Sequence, residues 1–255
     1  MTRIAPTLSD YADRYANAEL SRSDEGVLEV RLHTDGGSLV WDARAHDELA
    51  YLFENIACDR DNEVVILTGT GDSFCTDIDM ESFALGTASD WANLIFEGQR
   101  LMNNLLRIEV PVIGAVNGPT TIHPDLPMLS DVVIMADDAY FTDAAHYPNG
   151  LVPGDGAQVV WMHLLGQRRG AWFLMGGEEL HASQALEWGV VNQVLPKEQL
   201  MDRARELAAV LVAKPRVARR FTRSILTREW KTLMNDQLTL GLTSEALGVY
   251  DLMGK

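Results

Sequence analysis

Asn62–Asp79 reads N-E-V-V-I-L-T-G-T-G-D-S-F-C-T-D-I-D, and its first half settles the class of fold. Glu63–Thr70 is a continuous run of β-branched and aliphatic residues without polar alternation, the pattern of a strand covered on both faces, and Gly69 and Gly71 end it. Two more β-like runs follow at Pro111–Val116 and Asp131–Met135, and Val27–Thr34 precedes it. Helical patterns lie between these strands. Asp42 is placed to cap a helix in which Ala45, Leu49, Leu52, Phe53 and Ile56 form one apolar stripe. Trp91–Arg107 repeats apolar residues at Leu94, Ile95, Leu101, Met102, Leu105 and Leu106 before Pro111 limits its extension. Strands alternating with helices make the chain α/β. Beyond Gly156 the patterns are helical, at Ala157–Leu165, Ala182–Trp188 and Lys197–Val212, then a basic segment and a last helix near Glu229–Tyr250. Inspection finds no fixed-period repeat, low-complexity stretch or long linker.

The bulk properties agree with that pattern. With 255 residues, 47% of them hydrophobic, the chain can bury a substantial core. Two cysteines, Cys58 and Cys75, are too few for a disulfide framework and read as packing residues in a reducing compartment. No apolar run approaches the roughly 20 residues that cross a bilayer, and Met1–Tyr15 lacks a signal-peptide pattern, so a cytoplasmic location and no membrane partner are expected. A formal charge of −16 repels nucleic acid and does nothing to attract a phosphate-rich cofactor. One local exception is Arg216, Arg219, Arg220, Arg223, Arg228 and Lys231, mostly at helical spacing, which reads as a solvated helix face or a subunit contact.

Chemistry is expected between Asn117 and Asp155, where His123, His146 and Asp155 sit among glycines, prolines and turn residues. Polar groups held by rigid loops at the ends of apolar strands are well placed to line a pocket. A carboxylate on one ring nitrogen of a histidine fixes its tautomer and stabilises the imidazolium, so the loop P-N-G-L-V-P-G-D-G can fold His146 and Asp155 into an acid–base pair. The plainer alternative makes His146 a loop histidine and Asp155 the N-cap of the helix after Gly156. His33, His46 and His163 are isolated, and no spacing of metal ligands is apparent.

Four landmarks give the chain a wider resemblance. Asn62–Asp79, P-V-I-G-A-V-N-G-P (Pro111–Pro119), G-L-V-P-G-D-G (Gly150–Gly156) and A-S-Q-A-L-E-W-G-V-V-N-Q-V (Ala182–Val194) occur in the order of the crotonase superfamily, the enoyl-CoA hydratase/isomerase fold. The resemblance covers nearly the whole chain. It implies a spiral core of repeated ββα units over residues 1–196, and a C-terminal helical region over 197–255 that covers the site and mediates assembly into a homotrimer or a dimer of trimers. It also places the first oxyanion-hole amide near Thr76. After Asn117-Gly118, where hydratases carry a glycine-rich run, this chain has P-T-T-I-H-P-D-L-P, and His123 takes the place of the second backbone donor. His146 occupies the position of a hydratase glutamate.

Those departures, H-P-D-L-P, H-Y-P-N-G and P-G-D-G together, are similar to the 6-oxocamphor hydrolase branch, which cleaves C–C bonds of β-diketones without coenzyme A. That resemblance implies a small-molecule β-diketone as substrate, no cofactor, and a functional set of Trp41, His123, His146, Asp155 and Glu245. His146, held by Asp155, would be the base for water; Trp41 and His123 would bind the carbonyls; Glu245 would hold water or a proton for the enolate carbon. From the residues alone, Trp41 reads equally well as core and Glu245 as a solvent-facing helical residue. Phe83, Leu85, Phe96 and Leu126 are the expected shapers of the pocket, with Thr76 beside it. Two rivals stand: a coenzyme A-dependent hydratase, isomerase or lyase, and a non-catalytic scaffold.

Overall fold

The computed structural model describes residues 4–254. Its strands are β1 (Ala18–Arg22), β2 (Val27–Leu32), β3 (Leu39–Trp41), β4 (Val64–Gly69), β5 (Cys75–Ile78), β6 (Val112–Val116), β7 (Val132–Ala136), β8 (Tyr140–Phe141), β9 (Leu180–His181) and β10 (Gln193–Leu195). Its α-helices are α1 (Leu8–Tyr11), α2 (Ala43–Cys58), α3 (Ala88–Arg107), α4 (Asp125–Met128), α5 (Ala157–Gly176), α6 (Ala182–Glu187), α7 (Leu200–Val212), α8 (Arg216–Leu226) and α9 (Arg228–Leu252).

A six-stranded sheet in the order β1-β2-β4-β6-β7-β10 forms the frame, parallel except for the β1–β2 pair. The central strands β4 and β6 are buried at every residue, as the unbroken apolar run anticipates. β2 buries alternate residues. A second layer of short strands pairs β3 with β5 and β8 with β9, and single bridges at Thr120 connect Cys75 to Phe141 across it. The chain therefore repeats one motif: a strand of the large sheet, a short strand or bridge of the small layer, then a helix. β2-β3-α2, β4-β5-α3, β6-Thr120-α4 and β7-β8-α5 are its successive turns. This is the expected spiral of ββα units. The short strands were not legible from the sequence, because two to four residues cannot establish an alternation.

Local chemistry explains the helix boundaries. The Asp42 carboxylate accepts from the Ala45 amide at 2.7 Å and starts α2, whose expected stripe is buried throughout. Thr87 and Asp90 exchange side-chain and backbone bonds in a capping box, which starts α3 three residues before the expected Trp91. The pattern at Ala157–Leu165 continues to Gly176 through a kink at Gly166, which takes φ 70° and leaves the helical region. The expected boundary after residue 196 precedes α7, whose Leu200, Ala204 and Ala208 pack on Val64, Ile66, Ile113, Ala115 and Ile134 of the large sheet. The following helices differ in destination. α8 reaches the end of α3 through Arg223, and α9 folds back along α3 to the site.

One basic residue of α8 is an internal strut. Arg223 is fully buried, donates to the Ile108 carbonyl at 2.6 Å and the Leu105 carbonyl at 3.3 Å, and forms an ion pair with Asp131. Asp131 in turn accepts from the Val112 amide at 2.7 Å, so one ion pair joins α8, the end of α3 and the start of β6. Removing one partner leaves the other charge buried and unpaired. Arg223→Ala is expected to cost about 3–5 kcal/mol in a denaturant-unfolding measurement, and Arg223→Met, which fills the space, should cost less.

Candidate active site

A cavity opens among the short strands β3 and β5, the helices α2, α3 and α9, and the loops that carry His123, His146 and Asp155. Trp41, His46, Ile78, Met80, Phe83, Leu85, Trp91 and Ile95 form part of its wall, joined by Ile122, Leu151, Leu242 and Val249. Its polar side chains besides His46 are gathered at the inner end: His123, His146, Asp155 and Glu245.

Each polar group is delivered by a loop or a helix that the sequence forces into place. Asn117 ends β6 and ties down the loop after β4, accepting from the Gly69 amide and donating to the Gly71 and Ser73 carbonyls. Gly118 lies so close to that loop that a Cβ would stand 2.2 Å from the Asp72 carbonyl oxygen. The chain then reaches His123, which takes φ 46°, a left-handed conformation uncommon outside glycine. That turn lays its ring over Trp41, centroids 4.1 Å apart, and brings Nδ1 to 3.2 Å from Asp155. Asp125 stands on the other side, 3.7 Å from the same nitrogen.

Backbone contact brings in the last member. A Cβ on Gly154 would meet the Gly241 carbonyl oxygen at 2.1 Å, and one on Gly241 would meet the Gly154 oxygen at 2.3 Å. The P-G-D-G loop and α9 thus touch main chain to main chain, so Asp155 and Glu245 enter one cavity.

His146 has a carboxylate on each side. Its Nδ1 lies 2.7 Å from Asp143, while Nε2 lies 3.5 Å from Asp155 and 3.9 Å from Glu245. This corrects the expected pairing: the carboxylate hydrogen-bonded to the imidazole is Asp143, three residues away on the same loop, and Asp155 stands between the two histidines. Asp155 also accepts from the Ala157 amide at 3.2 Å, at the start of α5, and lines the cavity. The N-cap itself is Gly156, one residue beyond the expected Asp155.

Burial dominates the electrostatics, and the neighbours decide the sign. Burial favours neutral His146, but Asp155, Asp143 and Glu245 outweigh it and push the ring up to about 10. His123 is likewise raised, against its burial, by Asp155 and Asp125. Burial would raise Asp155, yet the two imidazoles and the Ala157 amide hold it below the usual carboxylate range. Glu245 goes the other way: burial and the Asp155 charge push it up to about 8, against the pull of His146 and His123. Asp125 is raised by its own burial and by Asp155. At neutral pH the inner end holds an imidazolium at His146, a second imidazole with raised pKa at His123, an ionised Asp155 between them and a protonated Glu245.

Other expectations fare differently. Phe83 and Leu85 line the cavity, whereas Phe96 is 55% exposed on α3 and Leu126 is buried in the core behind His123. Thr76 lies outside the cavity wall, its hydroxyl turned to Ser73 and Asp77. Cys75 is buried, and desolvation with the Asp77 charge pushes its thiol up to about 12, consistent with packing. Three ionisable side chains at or beside the site were missed, along with apolar wall residues such as Ile78, Met80 and Trp91. His46 lines the cavity, 3.3 Å from Glu97 and edge-on to Trp41 and Phe83. Its signal was available, since it sits on the buried stripe of α2 one turn before Leu49. Asp143 and Asp125 had only proximity in sequence to the two histidines. His123, Asp125 and Asp155 place possible ligand atoms within 4.8 Å of one another, a grouping that no sequence spacing announced.

Residues 22–246 match the enoyl-CoA hydratase/isomerase family. The chain belongs to that family. Carnitinyl-CoA dehydratase of Citrobacter koseri is 33% identical over 188 residues, 73% of this chain and 71% of the relative. The protein of Escherichia coli K12 with the same name is 32% identical over the same length. Among solved structures of the crotonase fold, a β-diketone hydrolase from the cyanobacterium Anabaena, bound to (S)-3-oxocyclohexyl acetic acid, is 41% identical with a TM-score of 0.94. That match covers 96% of this chain and 98% of the other. An enoyl-CoA hydratase/isomerase from Mycobacterium paratuberculosis is 25% identical with a TM-score of 0.85, covering 92% and 94%. The crotonase-type spiral and its C-terminal helices are thus common ground among enzymes of different names.

Two measurements test the site itself. Gly241→Ala forces α9 away from Gly154, and the expected result is a lowered Tm with loss of any ligand stabilisation that depends on Glu245. Glu245 has a folded pKa above that of an exposed carboxylate, so its contribution to stability is complete below about pH 4 and is lost as pH rises through about 8. Glu245→Gln should therefore gain Tm relative to the natural protein at about pH 9 and show no such gain at about pH 4.

Proposed function

We propose that this protein hydrolyses a carbon–carbon bond of a cyclic or bicyclic β-diketone by retro-Claisen attack of water, without coenzyme A, and releases a keto acid. The observation that carries the reading is the division of the cavity: an apolar wall for a ring, and at one end two imidazoles, an ionised Asp155 and a protonated Glu245. The Anabaena hydrolase, 41% identical to this chain, binds a molecule that is itself a keto acid, which supports the same class of product here.

The geometry serves each step. One carbonyl is polarised by the indole N–H of Trp41 and by His123 stacked on it. Water near Asp155 and His146 loses its proton to that pair as its oxygen attacks the second carbonyl. The tetrahedral adduct then expels the carbon between the carbonyls as an enolate, whose charge lies on the first carbonyl oxygen. Donors aimed at that oxygen matter more in the transition state than in the ground state, which is where they accelerate the reaction. Glu245 carries the proton that the enolate carbon needs. The apolar wall keeps competing water away.

The family is shared with carnitinyl-CoA dehydratases, so a thioester substrate is the second reading. Against it stands the placement of His123 and Pro124 where the family resemblance would put glycine and a second backbone donor. The same resemblance implies a homotrimer or a dimer of trimers; the exposed Val217, Phe221 and Ile225 of α8 supply apolar surface for assembly.

Purified protein, free of coenzyme A, is expected to convert members of a panel of cyclic and bicyclic β-diketones to keto acids. His146→Ala and Asp155→Asn should each lose about 10²–10⁴ in rate, and His123→Ala about 10²–10³. Trp41→Phe should raise KM. Rates should decline as pH rises through about 8, where Glu245 loses its proton, and that decline should vanish in Glu245→Gln. If no diketone is cleaved and an acyl-CoA raises the Tm of the same preparation, the thioester reading replaces this one.

A further inference from the structure

His146 faces the cavity with only one of its nitrogens. The other is engaged by Asp143, which is 1% exposed and does not line the cavity. Asp143 is held rigidly, because the amides on either side of it, Thr142 and Ala144, donate to the Thr120 and Thr121 carbonyls at 3.3 and 3.1 Å. The His146 carbonyl accepts from Asn149 and Leu151 at 2.8 and 3.0 Å, which fixes the other end of the short segment. A hydrogen bond of 2.7 Å between Asp143 Oδ1 and Nδ1 leaves one arrangement for a ring so gripped: the proton sits on Nδ1, and Nε2 points at Asp155 and Glu245.

We propose that Asp143 is a positioning residue that holds His146 as an imidazolium with its Nε2–H directed into the cavity, so that the proton of the attacking water goes to Asp155. The catalytic half of this proposal rests on the diketone reading above; the protonation half does not. Every element packed against the ring contributes to its charge balance. Asp143 comes from the segment after β8, Asp155 from the turn before α5, Glu245 from α9 and His123 from the turn after β6. Of these four, only His123 opposes a charge on His146. The net effect is the rise to about 10 already described.

The sequence of steps then balances. Water gives its proton to Asp155 and its oxygen to the carbonyl carbon, forming a C–O bond and an oxyanion that His146 Nε2–H stabilises. The C–C bond breaks, the oxyanion becomes the carbonyl of a carboxylic acid, and the bonding electrons pass to the enolate. Glu245 gives its proton to the enolate carbon. Asp155 then returns the water's proton to Glu245 by way of Nε2, which lies 3.5 Å from one and 3.9 Å from the other. One diketone and one water have become one keto acid, and the site is in its starting state.

The test is a nitrogen NMR titration of the imidazoles in the full-length protein without substrate, with the His146 signal assigned by its loss in His146→Gln. His146 should stay doubly protonated through neutrality and give up its proton near pH 10. In Asp143→Asn that midpoint should fall by about 1–3 units, the scale of one adjacent charge, and kcat should drop by more than KM changes. Asp143→Glu, which restores the charge, should recover part of the midpoint. A natural protein whose His146 titrates near the ordinary value of about 6.5, or an Asp143→Asn midpoint that does not move, overturns the proposal. Should Asp143→Asn fail to fold, the titration of the natural protein decides alone. Absence of diketone cleavage alongside the expected titration would defeat the function reading and leave Asp143 in its role.

Discussion

The contact on which the site depends is the approach of two glycines. Gly154 and Gly241 meet backbone to backbone, with no room for a Cβ on either. α9 could pack against α3 at many heights through Leu238 and Leu242, since apolar contact is not directional. The glycine contact selects one height, the one at which Glu245 enters the same cavity as Asp155. Gln158 reinforces it, its side-chain amide donating to the Gly154 carbonyl at 3.2 Å. A helix that arrives late in the chain is thereby made part of a site built by the loops of the spiral.

Once Asp155 is placed, the remaining charges follow from it. It is the group common to His123, His146 and Glu245. Its negative charge raises both imidazoles and, by repulsion, keeps the proton on Glu245. This one carboxylate thus helps raise two imidazoles against their burial and adds to burial in raising an acid within one cavity, which is how environments push titratable groups apart into different roles. Asp125 extends the pattern behind His123, with both carboxylate oxygens lacking a hydrogen-bond partner among the described residues. Its own pKa is raised by burial and by Asp155, and it stands 3.7 Å from His123 Nδ1, whereas Asp143 hydrogen-bonds His146 Nδ1 at 2.7 Å.

How much of this was legible in the sequence divides along physical lines. Long elements announce themselves: β4, β6, α2 and the body of α3 follow from apolar runs and stripes, and the chemistry-bearing loops stand out by their glycines and prolines. Short elements do not, and β3, β5, β8 and β9 were invisible although β3 and β5 supply part of the cavity wall. Distances between side chains were the least legible. Asp143 and Asp155 both lie near His146 in sequence, and only three-dimensional packing shows that the former takes Nδ1 and the latter faces Nε2. Phe96 was misjudged because its aromatic character says nothing about its direction; one residue along α3, Ile95 faces the cavity instead. Glu245 illustrates the reverse error, since a lone glutamate on an amphipathic helix looks solvated until a neighbouring loop covers it.

The strained turn at His123 links the fold to its chemistry. A left-handed residue after Ile122 is an economical place for glycine, and a histidine there carries a backbone cost of order 1–3 kcal/mol. Pro124 follows and removes the next backbone N–H, so this turn has one amide fewer to offer a substrate oxygen. What it gains is a side-chain donor, packed against Trp41 with its pKa raised by Asp155, at the inner end of the cavity. A backbone amide is a neutral dipole fixed by the main chain; an imidazolium is a full charge whose strength is set by neighbouring carboxylates. Exchanging one for the other changes which intermediates the cavity can stabilise while leaving the spiral intact. The departure from glycine at His123 and the presence of Asp155 are therefore one feature: burial at that turn lowers the histidine's pKa, and the carboxylate beside it raises it again.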